Sequence, residues 1–242
     1  MPGKVFAHII LARIKPTLLS HRRPQQSGFT PGRSTCDRIA TLCNIAQRRQ
    51  DFGHPTFAAS VDLRAAFDSL SRPALWLLLT RLGIPDKIVR LFRVLYDNSV
   101  SCVRTGGTYS SWFEIEAGVR QGCVLAPDSF ATGMDWLTVK SCLIGVAFGQ
   151  SSFTDLDFAD DVSVLAELLE LLVPILEKMA SEAASLGLEV NWQKTKVQAL
   201  ACREDMPLTI KVQDQDVMIV EEFVYLSSLI HSSTGSTCDI SR

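Results

Sequence analysis

The sequence predicts an α+β fold, because helix-like and strand-like segments of unequal length are mixed along 242 residues without a regular strand–helix alternation. Hydrophobic residues make up 47% of the chain and charged residues 21%, which is typical of a globular protein and excludes a disordered or fibrous one. The length is compatible with one domain. We therefore expect a single domain in which a sheet packs on helices.

Helix signals occur in six segments. Apolar residues at helical spacing, or start and stop residues, predict helices over residues 4–19, 36–49, 72–82, 86–96, 127–139 and 168–186. Pro73 and Pro127 suit a first helical turn, and Gly83 and Gly187 suit the residue after a helix. Pro174 is expected to kink or restart the last helix.

Strand signals fill most of the remaining chain, apart from a loop over residues 21–35. They predict strands over residues 57–63, 100–104, 108–115, 152–157, 162–166, 188–191, 195–201, 208–212 and 217–226. Gly106-Gly107 marks a hairpin, and Asp160-Asp161 is expected to form a tight turn between two apolar strands.

Composition also limits which class of protein this is and in which cellular compartment it is expected. No apolar stretch is long enough to span a bilayer, and the N-terminus does not resemble a signal peptide, so we expect no membrane association. The seven cysteines are scattered and no two are two residues apart, which argues against zinc and disulfide frameworks. We expect a reduced, intracellular location such as the cytoplasm.

Charge is distributed unevenly along the chain, although the net charge is only −2. Residues 1–50 contain nine Lys or Arg and one acid, whereas residues 151–242 contain six Lys or Arg and sixteen acids. A basic first segment suits contact with phosphates, and the alternative is simply a basic face of a small domain. The acidic segment could hold metal ions or form a solvated surface.

Three carboxylates are candidates for chemistry. Asp62 ends an apolar strand, and Asp160 and Asp161 lie between two others, so they converge if these strands are neighbours. Like charges 4 Å apart repel by about 4 kcal/mol at the effective dielectric of a protein surface, so such a cluster needs a cation or a raised pKa. Hard oxygen ligands select Mg²⁺. The alternative is an ordinary β-turn and a helix-capping aspartate.

Six motifs, in order, resemble the reverse transcriptase domain of non-LTR (LINE-type) retrotransposons. They are QSGFTPGRST (26–35), ASVDLRAAFDSL (59–70), GVRQGCVLAP (118–127), FADD (158–161), LGLEVNWQKTKV (186–197) and EFVYLSSLI (222–230). The resemblance implies a polymerase palm with partial fingers, built on an antiparallel sheet packed on helices. Residues 1–56 would be the partial fingers and 57–242 the palm with its primer-grip hairpin. Neither a thumb nor an endonuclease is expected within the chain.

The resemblance implies catalytic and metal-binding roles for five residues. Asp62 and Asp160 would hold two Mg²⁺ ions, with Mn²⁺ as the alternative ion, and Asp161 would complete the cluster. The backbone carbonyl of Leu63 would be a further ligand. Lys194 would donate a proton to the leaving pyrophosphate, although a lone lysine is more often solvated.

Nucleotide binding is implied for four more residues. Phe67 matches a steric gate that excludes a ribose 2′-OH, and its alternative is a core phenylalanine. Arg33 would bind the triphosphate of the incoming dNTP with its planar guanidinium; otherwise it is a solvated loop residue. Gln121 and Gly122 would line the nucleotide pocket, or form a turn before a helix.

Contacts to an RNA template and a DNA primer are also implied. Residues expected to line the template path are Arg13, Lys15, Arg22, Arg23 and Arg38. Tyr225 and Leu226 would help to place the primer end, and ordinary strand packing is the alternative for both.

The sequence leaves four functions open. The first is RNA-directed DNA synthesis, for which a nuclear location is implied by the resemblance alone. The second is a catalytically weak or inactive retroelement remnant that binds nucleic acid, and the third is an unrelated Mg²⁺-dependent hydrolase. The fourth is a remnant that does not fold stably. Ser227 departs from the glycine usual in the primer-grip hairpin, where a positive φ angle makes serine unfavourable.

Overall fold

The computed structural model describes residues 2–141, 143–200 and 206–232. Within these ranges lie seven helices: α1 (Pro2–His21), α2 (Thr35–Asp51), α3 (Ala66–Ser69), α4 (Arg72–Arg81), α5 (Asp86–Val94), α6 (Ala126–Lys140) and α7 (Leu169–Ser185). The same ranges contain fourteen strands. Those in the first half are β1 (Thr56–Val61), β2 (Val100–Ser101), β3 (Arg104–Thr105), β4 (Thr108–Tyr109) and β5 (Phe113–Glu114).

The strands of the second half include four hairpins and both edge strands of the main sheet. They are β6 (Val146–Phe148), β7 (Ser151–Phe153), β8 (Asp155–Phe158), β9 (Asp161–Ala166), β10 (Lys196–Leu200), β11 (Thr209–Val212), β12 (Gln215–Val220), β13 (Glu222–Tyr225) and β14 (Ser228–His231). None of the helices in the described ranges combines the length and apolarity needed to cross a bilayer.

A six-stranded sheet in the order β11-β12-β10-β1-β9-β8 forms the centre of the fold. All of its neighbouring strands are antiparallel except β10 and β12, which are parallel. Side chains alternate between the two faces of β1: Ala59 and Val61 join the large core shared with α6 and α7, whereas Ala58 joins a smaller core with α2. Helices therefore cover both faces of the sheet around β1, and the expected α+β fold is confirmed.

Local sequence explains the helix boundaries. The Ser34 side chain accepts a hydrogen bond from the Asp37 N–H while the Asp37 carboxylate accepts one from the Ser34 N–H, which forms a capping box that starts α2. Ser71 caps α4, and Pro73 lies in its first turn. α7 runs through Pro174 as one helix, so the expected restart does not occur.

Five strand expectations need correction. The segments predicted over 100–104 and 108–115 each divide into two short strands, so that β3 pairs with β4 across the Gly106-Gly107 turn and β2 pairs with β5. The segment predicted over 152–157 is divided between β7, which pairs with β6, and β8, which pairs with β9. The segment over 217–226 likewise divides into β12 and β13. Residues 188–191 form no strand but only a bridge between Val190 and Leu63, because β10 occupies the position beside β1.

One cysteine also differs from expectation. Cys36, Cys102 and Cys123 are free thiols, but Cys43 is disulfide-bonded. The sequence had instead indicated a reduced chain without disulfides.

Candidate functional site

Asp62, Asp160 and Asp161 lie where β1 ends and β9 begins, at one end of the strands of the central sheet. We call this end the carboxylate edge. Val61 of β1 pairs with Val162 of β9 in an antiparallel register, so Asp62 and Asp161 occupy the next position on the two strands. Phe158 pairs with Asp161, which makes Ala159 and Asp160 the two-residue turn between β8 and β9. The expected turn is thus displaced by one residue, and Asp161 is already the first residue of β9.

Negative charge at this edge has no cationic counterpart within residues 2–141, 143–200 and 206–232. Partial desolvation raises the pKa of the Asp161 carboxyl above its usual value although the residue is exposed at the surface, and the nearby charges of Asp160 and Asp62 raise it further. No Lys, Arg or His forms an ion pair with these three residues in the part of the chain that the structure describes. A divalent cation would relieve the repulsion.

The site does not contain a complete set of protein ligands for a metal. Among the described residues, no three His, Cys, Asp or Glu side chains are grouped so that they alone could hold an ion. The carboxylate oxygens are nevertheless the donor type that Mg²⁺ prefers, and Mg²⁺ commonly completes its shell with water and substrate phosphates. The donor set therefore fits a divalent ion bound together with a phosphorylated substrate.

Asp62 is held by the loop that carries Lys194. The Asp62 N–H donates a hydrogen bond to the Thr195 Oγ1 at 3.3 Å, and its carbonyl accepts one from the Asn191 N–H at 2.8 Å. The Lys194 side chain is exposed on the turn between these two anchors. Leu63, the next residue along the chain, is buried and bridges Val190. The structure therefore brings Lys194 and Leu63 to the strand end that carries Asp62.

Phe67 lies on α3, the short helix that follows Asp62 and Leu63 along the chain. Its ring stacks on Phe130 with centroids 4.2 Å apart and meets Phe29 edge-on at 6.2 Å. The side chain is half-buried, so packing accounts for one face of the ring and leaves part of it accessible. The core alternative and the steric-gate role are compatible with this placement.

The turn with Gln121 and Gly122 is attached to α3. The Val119 N–H donates to the Phe67 carbonyl at 2.8 Å, and Gln121 Nε2 donates to Asp68 Oδ1 at 3.4 Å. Gly122 has a φ of +78°, and a Cβ there would meet open space, so backbone conformation is what favours glycine.

Gly118 was not singled out from the sequence as a functional residue, yet the backbone of α3 lies very close to it. Its φ is +78°, and a Cβ at this position would lie 2.5 Å from the Asp68 carbonyl oxygen. The glycine signal was visible in the sequence, but the close approach of α3 was not.

Two of the five basic residues expected along the template path are instead part of a buried cluster. The Arg22 side chain is only 2% exposed, with its Nε 3.1 Å from Asp135 Oδ2 and its Nη2 3.5 Å from Asp128 Oδ1. Arg23 Nη2 contacts the carboxylates of Asp155 and Asp157. Arg22 and Arg23 bind carboxylates inside the fold, because α6 and β8 bring four aspartates to the end of α1.

Arg38 is also turned inward. It is buried and donates hydrogen bonds to the Ser27 Oγ and to the Pro24 carbonyl, so it holds the loop that follows α1. Arg13 and Arg33 are exposed, as expected, and Lys15 is partly exposed, 3.7 Å from Asp128. Of the predicted template-path residues, only Arg13 and Lys15 present cationic surface.

Tyr225 lies in the smaller core beneath the sheet and not on a primer-facing surface. It is buried, and its hydroxyl donates a hydrogen bond to the Leu156 carbonyl at 2.9 Å. Burial raises the pKa of this phenol. Leu226 and Ser227 form the turn between β13 and β14 with φ angles of +49° and +67°, so the expected positive φ at Ser227 is present.

Gln26 is a functional candidate that sequence reasoning missed. It belongs to the QSGFTPGRST motif, but its side chain carries no charge and the motif alone gave it no role. The structure places it in a β-bridge with Asp157, on the strand that leads into the Ala159–Asp160 turn.

Comparisons with known proteins identify the family. A family model described as reverse transcriptase (RNA-dependent DNA polymerase) matches residues 1–227. The chain is 29% identical over 173 residues to the Pol polyprotein of the type-2 retrotransposable element R2DM of Drosophila melanogaster. It is 28% identical over 193 residues to the Pol polyprotein of the type-1 element R2 of Popillia japonica. These matches cover 71% and 78% of the chain, but only 16% and 27% of the two relatives.

A solved structure has a similar fold. Telomerase from Candida tropicalis, in complex with a fragment of telomeric RNA, superposes with a TM-score of 0.62 and 14% sequence identity. The match covers 94% of this chain and 38% of the telomerase chain. Members of the reverse transcriptase family generally use divalent metal ions, which agrees with the donor set at the carboxylate edge. The chain therefore belongs to the reverse transcriptase (RNA-dependent DNA polymerase) family, as a domain of the non-LTR, LINE-type retrotransposon kind.

Proposed function

We propose that this chain is the catalytic core of an RNA-directed DNA polymerase that adds dNTPs to a primer 3′-OH with two bound Mg²⁺ ions. The observation that carries the proposal is the meeting of Asp62, Asp160 and Asp161 at one sheet edge, where no cationic side chain of the described residues forms an ion pair with them. In a member of this family, that edge is where hard cations and substrate phosphates can share a site.

The carboxylates supply negative charge at fixed positions. Divalent ions bound there would activate an attacking hydroxyl and stabilise the charge on a departing pyrophosphate. Asp62 and Asp160 would hold the ions with the Leu63 carbonyl, and Asp161 adds to the negative charge of the edge. Because Asp62 is anchored through its backbone to Asn191 and Thr195, its side chain is left free to face the substrate.

Five further residues act on the nucleotide. Arg33 binds the triphosphate, and its exposure before α2 leaves the guanidinium accessible. Phe67 excludes a ribose 2′-OH, and the Gln121–Gly122 turn lines the pocket beside α3. Lys194 donates a proton to the leaving pyrophosphate from its exposed position near Asp62.

The partners follow from the family and from the remaining cationic surface. RNA is the template and DNA the primer, with Arg13 and Lys15 as backbone contacts. Leu226, at the tip of the β13–β14 hairpin, contacts the primer end. Residues 1–56 are fingers and residues from 57 onward are palm.

Primer extension on an RNA template tests the proposal. Asp160→Asn should reduce dNTP incorporation about 100-fold or more, because it removes a metal-binding charge at the reacting centre. Asp216→Asn is the matched control, since Asp216 is an exposed aspartate on β12 that no motif includes, and it should match the wild type. Equal dNTP incorporation by the wild type and Asp160→Asn would contradict the proposed mechanism. RNA binding without incorporation would favour the inactive-remnant alternative.

Sugar selection provides a second test. Phe67→Val should lower the preference for dNTP over rNTP about 10-fold or more, because the smaller side chain leaves room for the 2′-OH. The ratio of the two incorporation rates is an internal control for stability lost with the Phe130 contact. An unchanged ratio would assign Phe67 to packing alone.

A further inference from the structure

The loop after α1 is paired with the strand that leads to Asp160. The Ser27 N–H donates a hydrogen bond to the Asp157 carbonyl at 2.9 Å, and the Asp157 N–H donates one to the Gln25 carbonyl at 3.2 Å. These two bonds form a parallel bridge between Gln26 and Asp157. Residues of the loop that follows α1 therefore run beside β8.

The Gln26 side chain continues this pairing beyond the end of β8. It is 1% exposed, and its Oε1 accepts hydrogen bonds from the N–H groups of Ala159 at 2.9 Å and Gly28 at 2.7 Å. Its Nε2 donates to the Ala159 carbonyl at 3.2 Å. One buried amide thus binds both backbone polar groups of the residue that precedes Asp160.

Ala159 needs such support. Its φ of +60° lies in the left-handed region, which is unfavourable for a residue with a Cβ. Gly28 packs against it so closely that a Cβ on Gly28 would lie 2.1 Å from the Ala159 nitrogen and 2.6 Å from its Cα. The turn is therefore held by two hydrogen bonds on one side and by direct backbone contact on the other.

We propose that Gln26 is a positioning residue for the metal-binding edge: it fixes the Ala159–Asp160 turn and thereby sets where the Asp160 and Asp161 carboxylates are presented. The inference rests on the proposed function, in which those carboxylates bind divalent ions. Gln26 bonds to Ala159 and not to either carboxylate, so it acts through the backbone. Groups that orient metal ligands from behind typically contribute about 10- to 100-fold to metal affinity.

A second buried glutamine provides a matched control. Gln198 on β10 is 4% exposed, and its Nε2 donates to the carbonyls of Glu221 at 2.9 Å and Ile230 at 2.8 Å. It holds the β13–β14 hairpin, and its register partner Ala58 lies four residues before Asp62. Gln26→Met and Gln198→Met each remove a buried amide of the same size, but only the first loosens the turn before Asp160.

The test is Mn²⁺ binding to the full chain, measured by electron paramagnetic resonance at a temperature where all variants are folded. Gln26→Met should weaken Mn²⁺ affinity about 10-fold, and Gln198→Met should bind like the wild type. Amide hydrogen exchange at Ala159 should be faster in Gln26→Met alone. Equal affinities in the two variants, or equal exchange at Ala159, would overturn the proposal.

Two additions separate the possible failures. If Gln26→Met does not fold, Gln26→Glu replaces it: this variant keeps the acceptor oxygen but places an oxygen against the Ala159 carbonyl, and it should show the same loss of Mn²⁺ affinity. If wild type and Asp160→Asn bind Mn²⁺ equally, the proposed function fails and the metal-related part of this inference fails with it. Faster exchange at Ala159 in Gln26→Met would then still show that Gln26 holds the turn.

Discussion

The β8–β9 hairpin carries four aspartates that the protein treats in two opposite ways. Asp155 and Asp157 on β8 are fully buried, and Arg23 binds both carboxylates. Asp160 and Asp161, at and after the turn, are exposed and have no cationic partner among the described residues. Residue type is the same in both places, so the difference shows which charges the fold neutralises itself and which have no cationic partner among the described residues.

The net charge of the buried cluster around Arg22 and Arg23 is close to zero only if some of its carboxyl groups are protonated. Arg22 and Arg23 face four carboxylates, which are those of Asp128, Asp135, Asp155 and Asp157, and Lys15 approaches one of them from the surface. Burial, and then the neighbouring Asp155, hold the pKa of Asp157 well above its usual value. Burial lowers the pKa of Arg23, but the carboxylates outweigh this and raise it above the ordinary value. Internal compensation at this cluster contrasts with the exposed edge.

Replacing Arg23, which binds the buried carboxylates of Asp155 and Asp157, should have the largest effect on stability. Arg23→Met leaves Asp155 and Asp157 buried without their guanidinium, and breaking a buried ion pair from one side typically costs about 3–5 kcal/mol. We expect the free energy of unfolding, measured by urea denaturation, to fall by about that amount.

An exposed arginine supplies the control for this experiment. Arg13→Met removes the same charge from the outer surface of α1 and should change stability by less than about 0.5 kcal/mol. Equal losses in the two variants would show that Arg23 does not neutralise the buried pair.

The buried cluster should also make stability depend on pH. Burial raises the pKa of Asp135 from 3.8 to about 6, although Arg22 and Arg23 oppose the rise. The folded state therefore binds more protons than the unfolded state between these values, so this stabilisation is present below pH 3.8 and is lost as pH rises through about 6. Between pH 7 and pH 5 the wild type should gain about 1 kcal/mol relative to Asp135→Asn.

Urea denaturation of both proteins across this pH range measures the difference. The two proteins share all other titrating groups, so subtraction isolates Asp135. Parallel profiles would mean that the Asp135 carboxyl is ionised at pH 5 in the folded protein.

The exposed edge was predictable from the sequence in a way that the buried cluster was not. Asp62 and the Asp160-Asp161 pair each follow or precede an apolar strand, so strand boundaries indicated that the carboxylates converge if these strands are neighbours, and the motif resemblance favoured that arrangement. Arg22 and Arg23 were assigned to an exposed template path because they lie in a basic segment. Their partners come from α6 and β8, more than a hundred residues later, and sequence-local charge cannot reveal such pairing.

Backbone contacts were likewise hidden from the sequence. Tyr225 was assigned to the primer end, but its hydroxyl reaches the Leu156 carbonyl inside the fold. Gln26 shows the opposite error, since a neutral side chain with no motif role binds the turn before Asp160. The helices were easier to predict, because capping residues and apolar spacing act locally.

Magnesium should stabilise the protein through the exposed edge and not through the buried cluster. At a concentration equal to its Kd, Mg²⁺ should raise the free energy of unfolding by about 0.4 kcal/mol. The rise should be absent in Asp160→Asn and present in Asp216→Asn. Sodium chloride of equal ionic strength controls for screening of charges. An equal rise in Asp160→Asn would show that the stabilisation does not come from Mg²⁺ bound at the carboxylate edge.

The smallest expected effect has the opposite sign to the first. Asp161 faces Asp62 across neighbouring strands, and like charges directly opposite each other in a sheet are destabilising. Asp161→Asn should therefore raise the free energy of unfolding by a few tenths of a kcal/mol without Mg²⁺, in urea denaturation at pH 7. Asp155→Asn, on the same hairpin, should lower it instead, because it removes a partner of Arg23. A loss of stability in Asp161→Asn would mean that this carboxylate is compensated within the protein, and the contrast between the two ends of the hairpin would no longer hold.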